Sequence, residues 1–80
     1  MRTFYGIYRA VVVNAADPLR SRRVQIQVPD VLGAGVAWAL PCLPVSSRAI
    51  PKVGAGVWVM FEAGDPSRPV WMGVFSHHAP

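Results

Sequence analysis

Hydrophobic and polar residues alternate along several short stretches of this chain, and turn-forming residues separate those stretches. The clearest is 57–62, where Val57, Val59 and Phe61 alternate with Trp58, Met60 and Glu62. A period of two is typical of a pleated β-strand with one face in the core. If the valine face lies inside, Trp58 and Met60 point outward and remain exposed unless a neighbour covers them.

Five strands are predicted in this way, at 4–14, 22–28, 36–43, 57–62 and 69–76. Asp17-Pro18, Pro29-Asp30 and Gly64-Asp65-Pro66 provide strong turn signals between them. Pro41 interrupts the third stretch and predicts an edge or bulged strand there. No window shows helical periodicity with caps. The chain is therefore expected to form one all-β domain over residues 1–80, a small five-stranded OB-fold-like barrel.

The composition is unusually apolar for a small domain, with 52% hydrophobic and 15% charged residues. One 80-residue core cannot hide that much apolar surface, so we expect neighbouring proteins to cover part of it. The single cysteine, Cys42, excludes an intrachain disulfide and is expected to be a small buried side chain. The start of the chain shows no signal peptide, and its longest charge-free run is too short and too broken to span a bilayer.

The residues that could perform catalysis are few and scattered. Asp17, Asp30 and Asp65 lie beside turn-forming prolines or glycines, where aspartate normally caps its own backbone, and Glu62 ends a strand. Ser46 and Ser47 have no motif around them, and both histidines, His77 and His78, lie at the C-terminal end, so no nucleophilic triad is visible. The sequence predicts a protein that is not an enzyme and needs no cofactor.

Two motifs suggest ligands but have plainer explanations. Gly54-Ala55-Gly56 begins like a dinucleotide fingerprint, but it lacks the third glycine and precedes a strand, so the glycines predict a tight turn or bulge. His77-His78 could bind a metal, yet no Cys, Asp or Glu accompanies the pair. We expect a flexible, solvent-exposed tail at 77–80, and the sequence leaves metal binding there open.

The aromatic and basic residues supply candidate contact positions. A net charge of +4 is weak evidence for nucleic acid, because it equally fits an acidic protein partner. Outward aromatic residues are good protein-interface anchors, and this explanation is favoured over stacking platforms for single-stranded nucleic acid. The candidate interface residues are Trp38, Trp58, Met60, Trp71 and Phe75, with Arg20, Arg22 and Arg23 as basic residues that orient partners.

An ordered string of residues resembles one protein family along most of the chain. It includes Arg23-Val24-x-Ile26-x-Val28-Pro29, Trp38-Ala39-x-Pro41 and the long motif Pro51-x-Val53-Gly54-x-Gly56-Val57-x-Val59-x-Phe61-Glu62-x-Gly64-Asp65-Pro66-x-x-Pro69-Val70-x-x-Gly73. This pattern is similar to the N-terminal OB-fold domain of contractile-tail hub and spike proteins. Phage baseplate assembly protein V and the valine-glycine repeat proteins of type VI secretion belong to that family.

The resemblance implies a homotrimeric structural adaptor of a phage tail baseplate or related injection particle, assembled in the host cytoplasm. In the family such a domain joins the tail hub to the central spike. The chain ends at Pro80 without a β-helical needle or a lysozyme domain. Either a separate spike or tip protein supplies those parts, or the chain is a fragment of a longer one, and no membrane insertion by this chain is expected. The alternative from another class is an OB-fold protein that binds single-stranded nucleic acid.

Overall fold

A computed structural model describes residues 2–48 and 50–76. The strands are β1 (Tyr8–Asn14), β2 (Val24–Gln27), β3 (Val36–Pro41), β4 (Gly56–Phe61) and β5 (Pro69–Ser76), with a short helix α1 (Pro29–Leu32) and a 3-10 turn (Glu62–Gly64). The strands close into a barrel in the order β1-β2-β3-β5-β4, with β3 and β5 as the parallel pair. The predicted all-β, five-stranded barrel is confirmed.

The barrel interior is filled by the predicted alternation of side chains. Val57 and Val59 are fully buried and Phe61 is nearly so, while Trp58 and Met60 lie on the outer face of β4. The same period places Ala10 and Val12 of β1 and Val24 and Ile26 of β2 in the core. Each strand thus contributes alternate residues to one interior, as expected for a small closed barrel.

The first strand is shorter than predicted, because the ladder begins at Tyr8 rather than at Phe4. Residues 2–7 run beside the barrel, and the Phe4 amide donates to the Gly64 carbonyl at 2.8 Å. The Phe4 ring packs near Tyr8 and Phe61, at centroid distances of 6.3 and 6.1 Å. Phe4 therefore caps the core without joining the sheet.

Three other predictions need correction. The prediction that Pro41 makes its strand an edge or bulge is wrong, because Pro41 is the last residue of β3 and pairs with Trp71 in a closed sheet. Cys42 is exposed rather than buried, because it follows the end of β3. Its backbone amide donates to the Trp71 carbonyl at 2.8 Å. The one-turn helix α1 was missed because four residues are too few to show a helical period.

The glycines predicted to shape turns do so in the structure. Gly54 has φ of 92° and Gly64 has φ of 75°, in the left-handed region that glycine adopts without a steric penalty. The Ala55 amide donates to the Lys52 carbonyl at 3.0 Å, which closes the predicted tight turn, while the register shift beside Gly56 has its extra residue in β5. These glycines shape the backbone. Residues 77–80, including the predicted tail and His77-His78, lie outside the described residues.

Candidate protein-interaction surface

An aromatic cluster with an arginine lies on the outer wall of the barrel. Trp58 and Phe75 lie with their ring centroids 4.8 Å apart, and the Arg9 guanidinium is 5.5 and 5.4 Å from the two rings. A Cβ at Gly56 would come within 2.5 Å of the Phe75 ring, so the absence of a side chain there leaves room for that ring. The cluster is a preformed anchor of the kind enriched at protein interfaces.

Arg9 was missed as a candidate from sequence. It pairs with Trp58 across the β1–β4 ladder, and adjacent positions on one face bring a cation over a ring. The alternation of Arg9 between Tyr8 and Ala10 was the available signal, but the register with β4 could not be read from either strand alone. Two predicted residues, Trp58 and Phe75, are therefore brought together with an arginine that was not predicted.

A row of apolar side chains crosses the same wall. Leu40 pairs with Val70, and Val70 pairs with Met60, across β3, β5 and β4. Ile7 directly precedes Tyr8, the first residue of β1, which pairs with Val59 next to Met60. The exposed fractions of Leu40, Met60 and Ile7 are 48%, 38% and 55%. We call Ile7, Leu40, Met60 and Val70 the apolar row.

Trp71 is the one aromatic candidate that the structure removes from the surface. Its exposed fraction is 0%, so no partner can reach it, and the prediction that it is an interface residue is wrong. Trp71 pairs with the inward Val59, which turns its indole into the core. Its Nε1 donates to the Arg22 carbonyl at 3.3 Å, which satisfies the buried indole N–H and ties the β1–β2 loop to the core.

The three basic candidates have different environments. Arg20 is exposed, whereas Arg22 is half-buried and donates from its guanidinium to the Ser47 carbonyl. Arg23 forms an ion pair with Asp17 at 2.8 Å, and its guanidinium lies 5.0 Å from the Trp38 ring centroid. Arg23 and Trp38 therefore stabilise one another and the loop, a role that the sequence did not predict for them.

Asp17 organises the β1–β2 loop. Its carboxylate accepts hydrogen bonds from the amides of Leu19, Ser21 and Arg23 at 2.9, 2.9 and 3.1 Å, and from the Arg23 guanidinium. Its side chain is only 3% exposed. The Arg23 guanidinium and these amides hold the pKa of Asp17 well below its usual range, because all of them favour the charged form. The predicted self-capping role of Asp17 is confirmed and extends over six residues of chain.

A surface cavity of about 250 Å³ lies beside this loop. Its lining residues are Arg23, Trp38, Leu40, Glu62, Ser67, Arg68 and Pro69. Both of its arginines already face a carboxylate, Arg23 with Asp17 at 2.8 Å and Arg68 with Glu62 at 2.7 Å. The cavity thus offers no uncompensated positive charge to an anionic ligand.

Within 2–48 and 50–76, no group of three or more His, Cys, Asp or Glu side chains could hold a metal ion. No helix in that part of the chain has the length and apolar character needed to cross a membrane.

The family comparison agrees with the barrel fold. A search of the curated proteins finds no match to this chain. The family model of the type VI secretion system and phage-baseplate injector OB domain matches residues 8–75, which begin at the first residue of β1 and include nearly all of β5. The chain therefore belongs to the family of OB domains of phage-baseplate and type VI secretion injectors, and it has a structural role in a baseplate.

Proposed function

We propose that this chain is a non-enzymatic adaptor that assembles as a homotrimer and joins the tail hub of a contractile baseplate to the central spike. It would be assembled into the tail in the host cytoplasm. The baseplate role follows from the family, and the trimer and the two neighbours are the proposal. The apolar row is the observation that carries it.

The apolar row favours association because it is continuous across neighbouring strands. Leu40 and Met60 flank Val70 on the outer wall, and Ile7 lies just before β1, the strand paired with β4. Burying apolar surface contributes about 25 cal/mol per Å². A domain of 80 residues gains stability from a partner that covers such a surface. In a cyclic trimer each copy would bury the row against a different patch of the next copy.

The nucleic-acid alternative has less support on this surface. Single-strand binders combine exposed aromatic platforms with a basic groove. Here the Trp38 ring lies under Arg23, whose charge is paired with Asp17, and Trp58 is in contact with Phe75 and Arg9. Neither tryptophan presents a free ring face beside a row of unpaired cations.

The solution mass of the protein tests the proposal directly. Light scattering after size-exclusion chromatography should give about 26 kDa, three times the chain mass of 8.7 kDa. An oligothymidine shift assay on the same sample should show no complex. A monomer that binds the oligonucleotide with a steep salt dependence would contradict the adaptor and favour the alternative.

A pair of matched variants tests the apolar row. Met60→Glu places a charge in the row and should convert the trimer to monomer, while circular dichroism still reports a folded barrel. Val53→Glu is the control, because Val53 is 63% exposed in the β3–β4 loop and the substitution changes the net charge equally. If both variants stay trimeric, the row is not the interface.

A further inference from the structure

Two loops of the barrel lie side by side and form a second surface, separate from the apolar row. One is the β1–β2 loop, residues 15–23, and the other is the β3–β4 loop, residues 42–55. The Arg22 guanidinium joins them by donating to the Ser47 carbonyl. The Pro44 carbonyl accepts from the Ser47 amide at 2.9 Å, which closes a turn with Val45 at its tip.

The β1–β2 loop is held in one conformation from both sides. The Asp17 carboxylate accepts hydrogen bonds from three amides and from one guanidinium of its own loop. The core residue Trp71 donates to the Arg22 carbonyl at 3.3 Å. A loop fixed before binding loses little conformational freedom when a partner docks.

Two arginines of this loop have strained backbones. Arg20 and Arg22 have φ of 53° and 59°, in the left-handed region that side-chain-bearing residues adopt rarely. Such conformations persist where the surrounding structure imposes them, and they concentrate at functional positions. Here the hydrogen bonds to Asp17 and from Trp71 hold Arg20 and Arg22 in these conformations on either side of Ser21.

The loops present positive charge and apolar side chains together. Among the described residues only Arg23 and Arg68 form ion pairs, so the exposed Arg20 and Arg48 have no carboxylate partner. Leu19 is 68% exposed and Val45 is 94% exposed. We call Leu19, Arg20, Arg22, Val45 and Arg48 the basic loop surface. Of the four acids in the chain, only Asp17 lies in either loop, and it is paired with Arg23.

We propose that the basic loop surface docks an acidic segment of a neighbouring baseplate protein. Carboxylates of that segment pair with Arg20 and Arg48, and its apolar side chains pack on Leu19 and Val45. The inference rests on the proposed adaptor role for the identity of the neighbour. It adds the chemistry of the partner and the residues that receive it.

The composition of the two loops favours an acidic segment over a second copy of the chain and over single-stranded nucleic acid. A second copy of the chain carries a net charge of +4 and would bring like charges together at this surface. Single-stranded nucleic acid requires aromatic stacking, and neither loop contains Phe, Tyr or Trp. An acidic and partly apolar peptide complements both the arginines and the exposed aliphatic side chains.

The proposal is tested by titrating the full chain with two synthetic peptides, followed by residue-resolved ¹⁵N–¹H spectra. One peptide has two leucines among glutamates, and the matched peptide has glutamines in place of the glutamates. The acidic peptide should bind saturably and shift the amides of 19–23 and 45–48, more weakly as salt rises. The glutamine peptide should cause no saturable shift.

Variants separate the loops from the rest of the surface. Arg20→Gln combined with Arg48→Gln should weaken the acidic peptide by about fivefold or more, and Arg9→Gln should leave the affinity unchanged. Shifts centred on Arg9, Trp58 and Phe75 would overturn the assignment, as would tighter binding of oligothymidine than of the acidic peptide. Trimer mass is measured independently, so failure of the trimer and failure of this docking surface give different results.

Discussion

The β1–β2 loop and the β4–β5 turn are each closed by a carboxylate and an arginine six residues apart, but only the first pair is shielded from solvent. The N–O distances are 2.8 Å for Arg23–Asp17 and 2.7 Å for Arg68–Glu62. The side chain of Asp17 is 3% exposed and that of Glu62 is 51% exposed. The distance between the charges therefore says little about what each pair does for the fold.

The two pairs differ in the other hydrogen bonds that each carboxylate accepts. Asp17 accepts from three backbone amides of its loop, so removing its charge leaves several donors without a partner. Glu62 accepts only the Arg68 guanidinium among the side-chain hydrogen bonds of the described residues, and water can replace that contact. In the turn, the corresponding capping role belongs to Asp65, which accepts from the amide and hydroxyl of Ser67.

The largest expected effect comes from neutralising each carboxylate in turn. Asp17→Asn should lower the midpoint of thermal unfolding several-fold more than Glu62→Gln, since it disrupts the loop and the Arg23 site together. Glu62→Gln should change the free energy of unfolding by no more than about 0.5 kcal/mol, as expected for an exposed ion pair. Equal losses in circular-dichroism melts would show that the shielding of Asp17 has no energetic consequence.

The stability of the fold should also depend on pH through Asp17. Because the pKa of Asp17 is held below its unfolded value near 4, the folded state binds fewer protons than the unfolded state in this range. Its stabilisation is fully present above about pH 4 and is lost as the pH falls toward the folded pKa. Denaturant melts from pH 6 to pH 2 should show a steep loss for the parent chain and a flatter curve for Asp17→Asn.

Asp65 provides the control for that experiment. Hydrogen bonds from the Ser67 amide and hydroxyl also lower the pKa of Asp65, with the same sign of pH dependence. The Asp17→Asn variant should therefore still lose a little stability as the pH falls. Adding Asp65→Asn should remove that remaining loss. A parent curve that is already flat between pH 6 and 2 would contradict the role assigned to Asp17.

The β4–β5 turn also has a glycine that the β1–β2 loop lacks, and replacing it should be costly. Gly64 has φ of 75°, and a Cβ there would lie 2.7 Å from the Tyr5 ring. Gly64→Ala should destabilise the fold by about 1–2 kcal/mol through the left-handed backbone. Gly54→Ala is the control, since Gly54 also has a positive φ, 92°, with nothing within 4 Å of a Cβ. A larger loss at Gly64 measures the Tyr5 contact.

The sequence predicted the second hairpin better than the rest because its signals are local. Gly64-Asp65-Pro66 closes the turn, and the predicted strand 69–76 agrees with β5 at both ends. The inward face of β4 followed from strict alternation. These features depend on residues adjacent in the chain, where the physics of turns and pleats is short-range.

The orientation of the aromatic residues could not be predicted in the same way. Between Trp71 and Gly73 the register of β5 shifts by one residue, which changes the face that later side chains occupy. Trp71 therefore lies inside while Phe75, four residues later, packs outside against Trp58. Strict alternation would have placed both on one face. The contact between Asp17 and Arg23 was equally hidden, since it depends on a loop conformation with two left-handed arginines.

The smallest predicted effect compares left-handed residues in the two regions. Arg20 in the loop and Ala63 in the turn both have φ of 53°. Replacing either by glycine removes a backbone penalty of about 1–2 kcal/mol and adds unfolded-state entropy worth about 0.5–1 kcal/mol. Arg20→Gly and Ala63→Gly should therefore each stabilise the fold by up to about 1 kcal/mol in urea melts. Only Arg20→Gly should also weaken binding of the acidic peptide, because it alone removes an arginine of the basic loop surface. If Arg20→Gly destabilises the barrel while Ala63→Gly does not, the Arg20 side chain stabilises the free protein and is not held for a partner.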